Sequence, residues 1–188
     1  MKEAPLRVES AQNAQPVGLD DLEGVYRAHH ARVIRIAYRV TGSFSDAEDV
    51  AQTVFLRLAR RGLDSVPVGH IESYLYRAAV NAALDVLRSR KDAKSVNLED
   101  AGPLPSDDAL LSPDRTQESA EIRIWLRQAL SKLHPRAAEM FVLRYLENYD
   151  NREIARLLDT SSAVVAVMLH RTRGRLQKDF RAFMRGSK

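Results

Sequence analysis

The chain has 188 residues, of which 45% are hydrophobic and 29% charged, and its formal net charge is +4 at pH 7. This length can bury one or two small cores, and the basic balance suits an anionic partner, although so small an excess is modest for a protein that coats DNA. The absence of cysteine excludes disulfides and thiolate metal sites and is natural in a reducing cytoplasm, where we expect the protein to be.

Helical periodicity runs through most of the chain, whereas the strict alternation that is typical of strands is nearly missing. We expect no membrane span, because no apolar run approaches the roughly 20 residues that cross a bilayer. We expect no signal peptide either, because the first 18 residues lack an apolar h-region. Residues 1–18 predict a disordered tail, and two helical blocks follow at 19–91 and 118–184. Segment 92–117 is rich in Pro, Gly, Ser and Asp and predicts a linker. The predicted fold is all-α, with two small helical domains joined by a flexible linker.

The first block opens on a helix that we expect to end near Gly42. One face of this helix gathers Leu22, Tyr26, Val33, Ile36, Ala37 and Val40. Ser45 and Glu48 form an S-x-x-E capping box and predict the start of a second helix. The expected buried face of that helix consists of Ala47, Val50, Ala51, Val54, Phe55 and Leu58.

The exposed side of the second helix begins with an acidic turn, which consists of Asp46, Glu48 and Asp49. Two interpretations fit it. Acidic residues at a helix N-terminus complement the helix macrodipole, as in many ordinary helices. Alternatively, three carboxylates in one turn form a compact negative patch that suits a basic partner.

A long helix follows from about residue 70 to 91, and its aromatic and polar residues indicate a possible binding function. They are Tyr74, Tyr76, Arg77, Asn81, Arg88, Arg90 and Lys91. Aromatic rings interleaved with cations are typical of single-stranded nucleic-acid binding, because bases stack on the rings while cations follow the phosphates. Tyrosines at helical spacing are equally typical of a core, and Tyr76 fits either position.

In the second block, Ser112 and Pro113 predict the N-cap and first residue of a helix, and Pro135 begins another. We expect Ala138, Phe141, Val142 and Tyr145 on the inner face of the latter. Trp125 fits a partner-facing anchor or the core, and we favour the core.

The stretch from residue 150 to 176 predicts a helix-turn-helix. Asp150 and Glu153 form a capping box, and the following helix has a single apolar stripe. A polar break at 159–162 leads to a second helix with basic residues after its core. The two expected buried faces are Ile154, Ala155 and Leu158, then Val165, Leu169, Thr172 and Leu176. We favour DNA binding over a helical hairpin that merely packs.

These segments resemble a known family. Two segments resemble region 2 of bacterial sigma factors of the extracytoplasmic-function group in the sigma-70 family. They are DAEDVAQTVFLRLAR (46–60) and SYLYRAAVNAALDVLRSRK (73–91). A third segment resembles region 4 of these sigma factors: LSKLHPRAAEMFVLRYLENYDNREIARLLDTSSAVVAVMLHRTRGRL (130–176). The resemblance implies a promoter-specificity subunit that binds core RNA polymerase, recognises −35 DNA and melts the −10 region.

The resemblance also implies roles for particular residues in the first domain. The β′ clamp helices of polymerase would contact Asp46, Glu48, Asp49, Gln52 and Phe55. The loop 62–69 would hold a flipped base, and the −10 strand would contact Tyr74, Arg77, Asn81 and Arg88. The family usually has tryptophan where this chain has Tyr74, and often a basic residue at Val80. The linker would thread the active-site and RNA-exit channels, and the helices before the helix-turn-helix would engage the β flap.

Implied −35 contacts are Ser161, Ser162, Ala166, Val167, His170, Arg171 and Arg173. The family commonly has Lys and Arg, with a small polar residue between, at the positions of residues 166–168, where this chain is apolar. Three explanations compete: apolar contact with thymine methyl groups, packing against a regulatory partner such as an anti-sigma factor, or loss of promoter reading. We favour the first, because serines, a histidine and arginines remain beside the apolar residues.

Two alternatives to a working sigma subunit stay open: a sigma-like decoy that binds an anti-sigma factor, and a stand-alone helix-turn-helix regulator. The chain has no Gly-rich phosphate loop. His70 and Glu72 form an H-x-E, but a zinc deaminase site would also require cysteines. We therefore expect no catalytic residue, metal site or cofactor.

Overall fold

The computed structural model describes residues 19–67, 69–92 and 113–186, and these are helical almost throughout. The elements are α1 (Leu19–Thr41), α2 (Phe44–Arg61), a short 3-10 helix (Leu63–Ser65), α3 (Ile71–Asp92), α4 (Pro113–Ser131), α5 (Pro135–Tyr145), α6 (Asn151–Leu157) and α7 (Ser162–Gly186). No strand occurs in these ranges, and the predicted all-α class is confirmed. The predicted tail and most of the predicted linker lie outside the described residues.

Helices α1, α2 and α3 pack on one another as the first bundle. The predicted inner face of α2 is confirmed at all six positions, and Val54 and Leu58 are fully buried. Helix α1 places Val33, Ile36 and Val40 in the same core. Tyr26, on the same face of α1, lies at the edge of the bundle and is 43% exposed.

The start of α2 differs from the predicted one. Ser43, with extended backbone angles, is the N-cap, and its Oγ accepts a hydrogen bond from the Asp46 amide at 3.2 Å. Ser45 is already helical. The preceding turn requires Gly42, whose φ of 72° is unfavourable for a residue with a Cβ. Two serines each precede an acidic residue by three positions here, so the local pattern allowed either start.

Helices α4 to α7 form the second bundle, which contains the predicted helix-turn-helix. The Asp150 capping box is present: Asp150 Oδ1 accepts from the amides of Arg152 and Glu153, and Glu153 Oε2 accepts from the Asp150 amide at 2.6 Å. Ser161 caps α7 by accepting from the Val164 amide at 3.2 Å. The predicted buried faces are confirmed, with Ile154 and Val165 fully inaccessible to solvent.

Helices α4 and α5 support the helix-turn-helix. Helix α4 begins at Pro113, as its sequence predicts, and Trp125 packs edge-on against Phe180 of α7 with ring centroids 4.8 Å apart. The inward placement predicted for Tyr145 is wrong, because this residue is 44% exposed. Glu139 is buried on α5, at a position that the apolar pattern did not indicate.

The two bundles touch. Helix α3 packs against both α4 and α5, and the buried apolar side chains of the two bundles form one continuous cluster. None of the described helices is long and apolar enough to traverse a bilayer.

Candidate polymerase and nucleic-acid interfaces

An apolar groove with an acidic rim lies between α1 and α2. Its walls include Tyr26, Phe55 and Leu56, and Leu56 is 48% exposed. Glu48 and Asp49 stand exposed on its rim. A partner that combines apolar side chains with cations would match both parts of this surface.

The five predicted polymerase contacts are not equally available. Glu48, Asp49 and Gln52 are exposed. Asp46, in contrast, has a side chain that is only 13% exposed, and its Oδ1 accepts a hydrogen bond from Arg90 at 2.7 Å. Phe55 is 7% exposed and lies beneath Tyr26, with ring centroids 4.8 Å apart. It supports the floor of the groove more than it projects from it.

The loop after α2 and the first half of α3 line a second cavity, of ≈ 660 Å³. Gly62 and Gly69, with φ of 81° and 83°, flank the loop. Tyr74, Arg77 and Asn81 all border this cavity, so the structure brings three of the four predicted −10 contacts together. An aromatic ring, a guanidinium group and an amide on one wall suit a nucleotide, because a base can stack on the ring while the polar groups bind its edge and its phosphate.

Arg88 lies apart from this cavity. It pairs with Asp85, one turn earlier on α3, at 2.8 Å. Val80 is fully buried in the core, so the basic residue that the family often has at this position could not be presented to a strand here. The α3 side chains that border the cavity therefore come from its first three turns.

Tyr76 belongs to the core, with 4% of the residue exposed. Its hydroxyl lies 3.3 Å from Nδ1 of His29, and the Arg32 guanidinium stands 4.4 Å from the ring centroid. Burial raises the pKa of Tyr76 above that of a free tyrosine. The hydroxyl is neutral at physiological pH.

The cavity has a second wall that sequence patterns did not reveal. Tyr149, Glu153, Arg156 and Leu157, from α6 and the residue before its cap, face the loop and α3 across it. Arg77 and Asn81 both donate to Oε1 of Glu139, at 2.7 Å and 2.8 Å. These contacts join segments far apart in the chain, so no local spacing signals them.

The surface of α7 gathers every predicted −35 contact at its exposed side. The exposed members are Ser161, Ser162, Ala166, Val167, His170, Arg171 and Arg173. Val167 is 51% exposed, and Val164, which sequence reasoning missed, is 47% exposed. Val165 points into the core instead, so α7 has an apolar side toward α6 and a separate apolar strip toward solvent.

Two families match the two bundles: Sigma-70 region 2 over residues 25–93, and Sigma-70 region 4 over residues 123–176. SigM of Mycobacterium tuberculosis, an ECF RNA polymerase sigma factor, is 30% identical over 82% of this chain and 74% of its own length. SigW of Bacillus subtilis is 26% identical over 93% of this chain and 95% of its own.

SigE of Mycolicibacterium smegmatis is 32% identical over 80% of this chain, which spans 58% of that relative's length. The sigma factor RpoE of Bartonella quintana, solved in complex with the anti-sigma factor NepR, has the same fold, with a TM-score of 0.54 and 18% identity over 85% of this chain and 96% of that one. This chain belongs to the sigma-70 family of RNA polymerase promoter-specificity subunits, in its extracytoplasmic-function group.

Proposed function

We propose that this chain binds core RNA polymerase with the groove between α1 and α2, recognises −35 DNA with α7 and opens the −10 region with α3 and its preceding loop. The observation that carries the proposal is the exposure of two unlike surfaces on one chain: an acidic, apolar groove in the first bundle and a polar, cationic helix face in the second.

Docking on the β′ clamp helices uses Glu48, Asp49 and Gln52 as polar contacts around an apolar centre of Tyr26 and Leu56. Exposed carboxylates steer a basic partner, while the apolar centre supplies the affinity. Asp46 and Phe55 keep α2 in place beneath this surface. The helices α4 and α5 support α7 and face the β flap.

Recognition of the −35 element combines two kinds of contact: contacts with the phosphate backbone that position the chain, and contacts with bases that distinguish the sequence. Ser161 and Ser162 stand at the N-terminus of α7, where backbone amides and the helix dipole favour a phosphate. Arg171 and Arg173 hold the phosphate backbone further along. Val167 and Ala166 lie between these polar groups and contact thymine methyl groups in the major groove.

Opening of the −10 element follows from differential binding. The cavity beside Tyr74 accepts a base only after that base has left the duplex, so its binding energy favours the melted state. Arg77 and Asn81 then hold the strand next to the flipped base. The chain performs no chemical step and requires no cofactor, because the polymerase supplies the catalysis; both work in the cytoplasm.

An anti-sigma factor is a second proposed partner. The exposed Val164 and Val167 form an apolar strip that a regulatory protein could cover, and this same strip supports the decoy alternative. A decoy would bind such a regulator without directing transcription. The stand-alone regulator alternative requires DNA binding without polymerase.

Run-off transcription with purified core polymerase and a genomic fragment library separates these functions. We expect discrete transcripts that require the chain and that disappear when Glu48→Lys and Asp49→Lys are combined. Capture of an anti-sigma partner without any transcript would indicate the decoy. Retarded duplex DNA in the absence of polymerase would indicate the stand-alone regulator.

A further inference from the structure

The first two turns of α7 offer no side chain that can form a conventional hydrogen bond with a base. Between Ser162 and His170 the sequence reads AVVAVML, in which the strongest polar side-chain atom is the thioether sulfur of Met168. Side chains that recognise bases by hydrogen bonds are those of Arg, Lys, Asn, Gln, Asp, Glu, Ser and Thr, and none of them occurs in this stretch. The side chains in this half of the helix can therefore distinguish bases only by apolar contact.

An apolar strip faces solvent in the same two turns. It consists of Ala163, Val164, Ala166 and Val167, all of which are exposed. Val164 is 47% exposed and Val167 is 51% exposed. The fully buried Val165 lies on the opposite side of the helix, where it packs into the core. The strip therefore contributes little to the fold and is available to a partner.

Polar and cationic groups border the strip along the helix. Ser161 and Ser162 precede it, and a series of exposed basic residues follows it. These are Arg171, Arg173, Arg175, Lys178, Arg181 and Arg185. Asp179 is the one acidic residue of α7. A narrow apolar strip between phosphate-binding groups matches the major groove of a duplex, where base edges lie between two rows of phosphates. Charge complementarity therefore favours DNA over a protein partner for this face.

Val164 and Val167 are spaced to contact two neighbouring base pairs. Three residues of an α-helix rise about 4.5 Å and bring the two side chains within about 60° of each other around the axis. Base pairs follow one another at about 3.4 Å along the duplex. Two valines in one groove therefore meet pyrimidines at two different positions of the sequence.

The apolar group that the major groove presents is the C5-methyl group of thymine. 5-Methylcytosine carries the same methyl group at the same ring position, whereas cytosine and deoxyuridine do not. Thymine has an oxygen at C4 where cytosine has an amino group, but a valine side chain forms a hydrogen bond with neither. A valine therefore distinguishes a methylated pyrimidine from an unmethylated one, and it does not distinguish thymine from 5-methylcytosine.

We propose that Val164 and Val167 make this chain a reader of C5-methylated pyrimidines, which accepts 5-methylcytosine in place of thymine in the −35 element. This inference rests on the proposed function of α7 and extends it from thymine to methylated cytosine. Each buried methyl group strengthens binding by about threefold to fourfold, and two strengthen it by about tenfold. A −35 element with cytosine at both positions is therefore bound about tenfold more tightly after methylation, which makes transcription from it dependent on a DNA methyltransferase.

Selection from random duplex DNA by the complex of the chain with core polymerase tests this inference. Three libraries are compared: ordinary DNA, DNA with deoxyuridine in place of thymine, and DNA with 5-methylcytosine in place of cytosine. At the positions read by α7, we expect thymine from the first library and no preference between the two pyrimidines from the second. The third should yield thymine and 5-methylcytosine equally. Thymine should be preferred over cytosine in the first library by about threefold to fourfold per position.

Three variants identify the positions that α7 reads. Val164→Ala and Val167→Ala should each remove the methyl preference at a different one of two neighbouring positions. Both replaced side chains are about half exposed, so the variants should keep the fold. Met184→Ala removes an exposed apolar side chain from the last turns of α7 as a control and should change no preference.

A third library in which thymine is preferred over 5-methylcytosine as strongly as over cytosine would overturn the inference, since the base and not its methyl group would then be recognised. Preferences that neither valine variant alters would overturn it as well, because the strip would then lie outside the DNA contact and be free for a protein partner. A complex that selects no −35 sequence from any library would instead refute the proposed function, and this inference with it.

Discussion

Arg90, near the end of α3, donates a hydrogen bond to Oδ1 of Asp46 at 2.7 Å and holds the first carboxylate of the acidic turn inside the bundle. Glu48 and Asp49, in the same turn, remain exposed. The turn therefore has two parts: Asp46 stabilises the junction of α2 and α3, and its two neighbours are available to a partner.

Reversal of the exposed charges should weaken polymerase binding without unfolding the chain. We expect Glu48→Lys with Asp49→Lys to raise the Kd for core polymerase about tenfold or more, equivalent to about 1.4 kcal/mol, because cations would face a basic surface. Titration of labelled chain with polymerase measures this. Asp179→Lys, an exposed reversal on α7 beyond the residues assigned to DNA, should leave the Kd unchanged, and equal loss in both variants would refute a specific acidic contact.

Asp46 should instead contribute to stability. Asp46→Ala should lower the free energy of unfolding by about 1 kcal/mol, since Arg90 is 42% exposed and regains water when its partner is removed. Urea unfolding of Asp46→Ala, Arg90→Ala and the double variant gives the coupling between them. Strictly additive losses would show that the hydrogen bond contributes nothing.

The ring of Tyr74 should matter more than its hydroxyl. Loss of base stacking in Tyr74→Ala should weaken binding of a single-stranded −10 oligonucleotide by the chain–polymerase complex, by about 1–3 kcal/mol, whereas Tyr74→Phe should retain it. Fluorescence anisotropy measures both. Tyr145→Ala removes an exposed ring from α5 as a control, and a similar loss there would argue against a specific platform.

Contact between Val167 and thymine methyl groups can be tested on the DNA. Replacement of −35 thymines one at a time by deoxyuridine should weaken binding at one position by about threefold to fourfold, the value of one buried methyl group. The Val167→Ala variant should lose that discrimination. Equal binding of thymine and deoxyuridine at every position would leave Val167 without a role in sequence reading.

Acid should remove the contribution of the Asp150 cap. The backbone amide of Glu153 donates a hydrogen bond that lowers the pKa of Asp150 below that of a free aspartate. The amide of Arg152 donates a second bond with a smaller effect in the same direction. The carboxylate therefore stabilises the fold fully above the free pKa, and this stability is lost as pH falls through the lower folded pKa. The difference in unfolding free energy between the parent chain and Asp150→Ala should shrink in acid. A difference that stays constant to pH 2.5 would contradict this.

Helical periodicity was enough to predict most core faces. The inner residues of α2 and of the helix-turn-helix follow from spacing alone, because a helix with one apolar stripe has one way to bury it. Tyr26 and Tyr145 lie on the apolar stripes of α1 and α5 and are exposed. The spacing of apolar residues predicts which face of a helix is buried, but it does not predict how wide the buried face is.

The contacts between bundles could not be predicted in this way. Glu139 interrupts the apolar face of α5. Its hydrogen-bond partner Arg77 lies on α3, at a distance of 62 residues along the sequence. Arg61, a basic residue in the last turn of α2, also borders the cavity beside Tyr74. Polar groups whose partners are distant leave no periodic signal, so the second wall of the −10 cavity emerges only from the folded chain.

Promoter opening tests the central claim most directly. Potassium permanganate oxidises unstacked thymines, and it can be applied to a promoter chosen from the run-off transcripts, with core polymerase and the chain together or separately. We predict that thymines of the −10 element become reactive only when both are present, and that Tyr74→Ala reduces this reactivity. A −10 element that stays unreactive in the complete mixture would contradict the account.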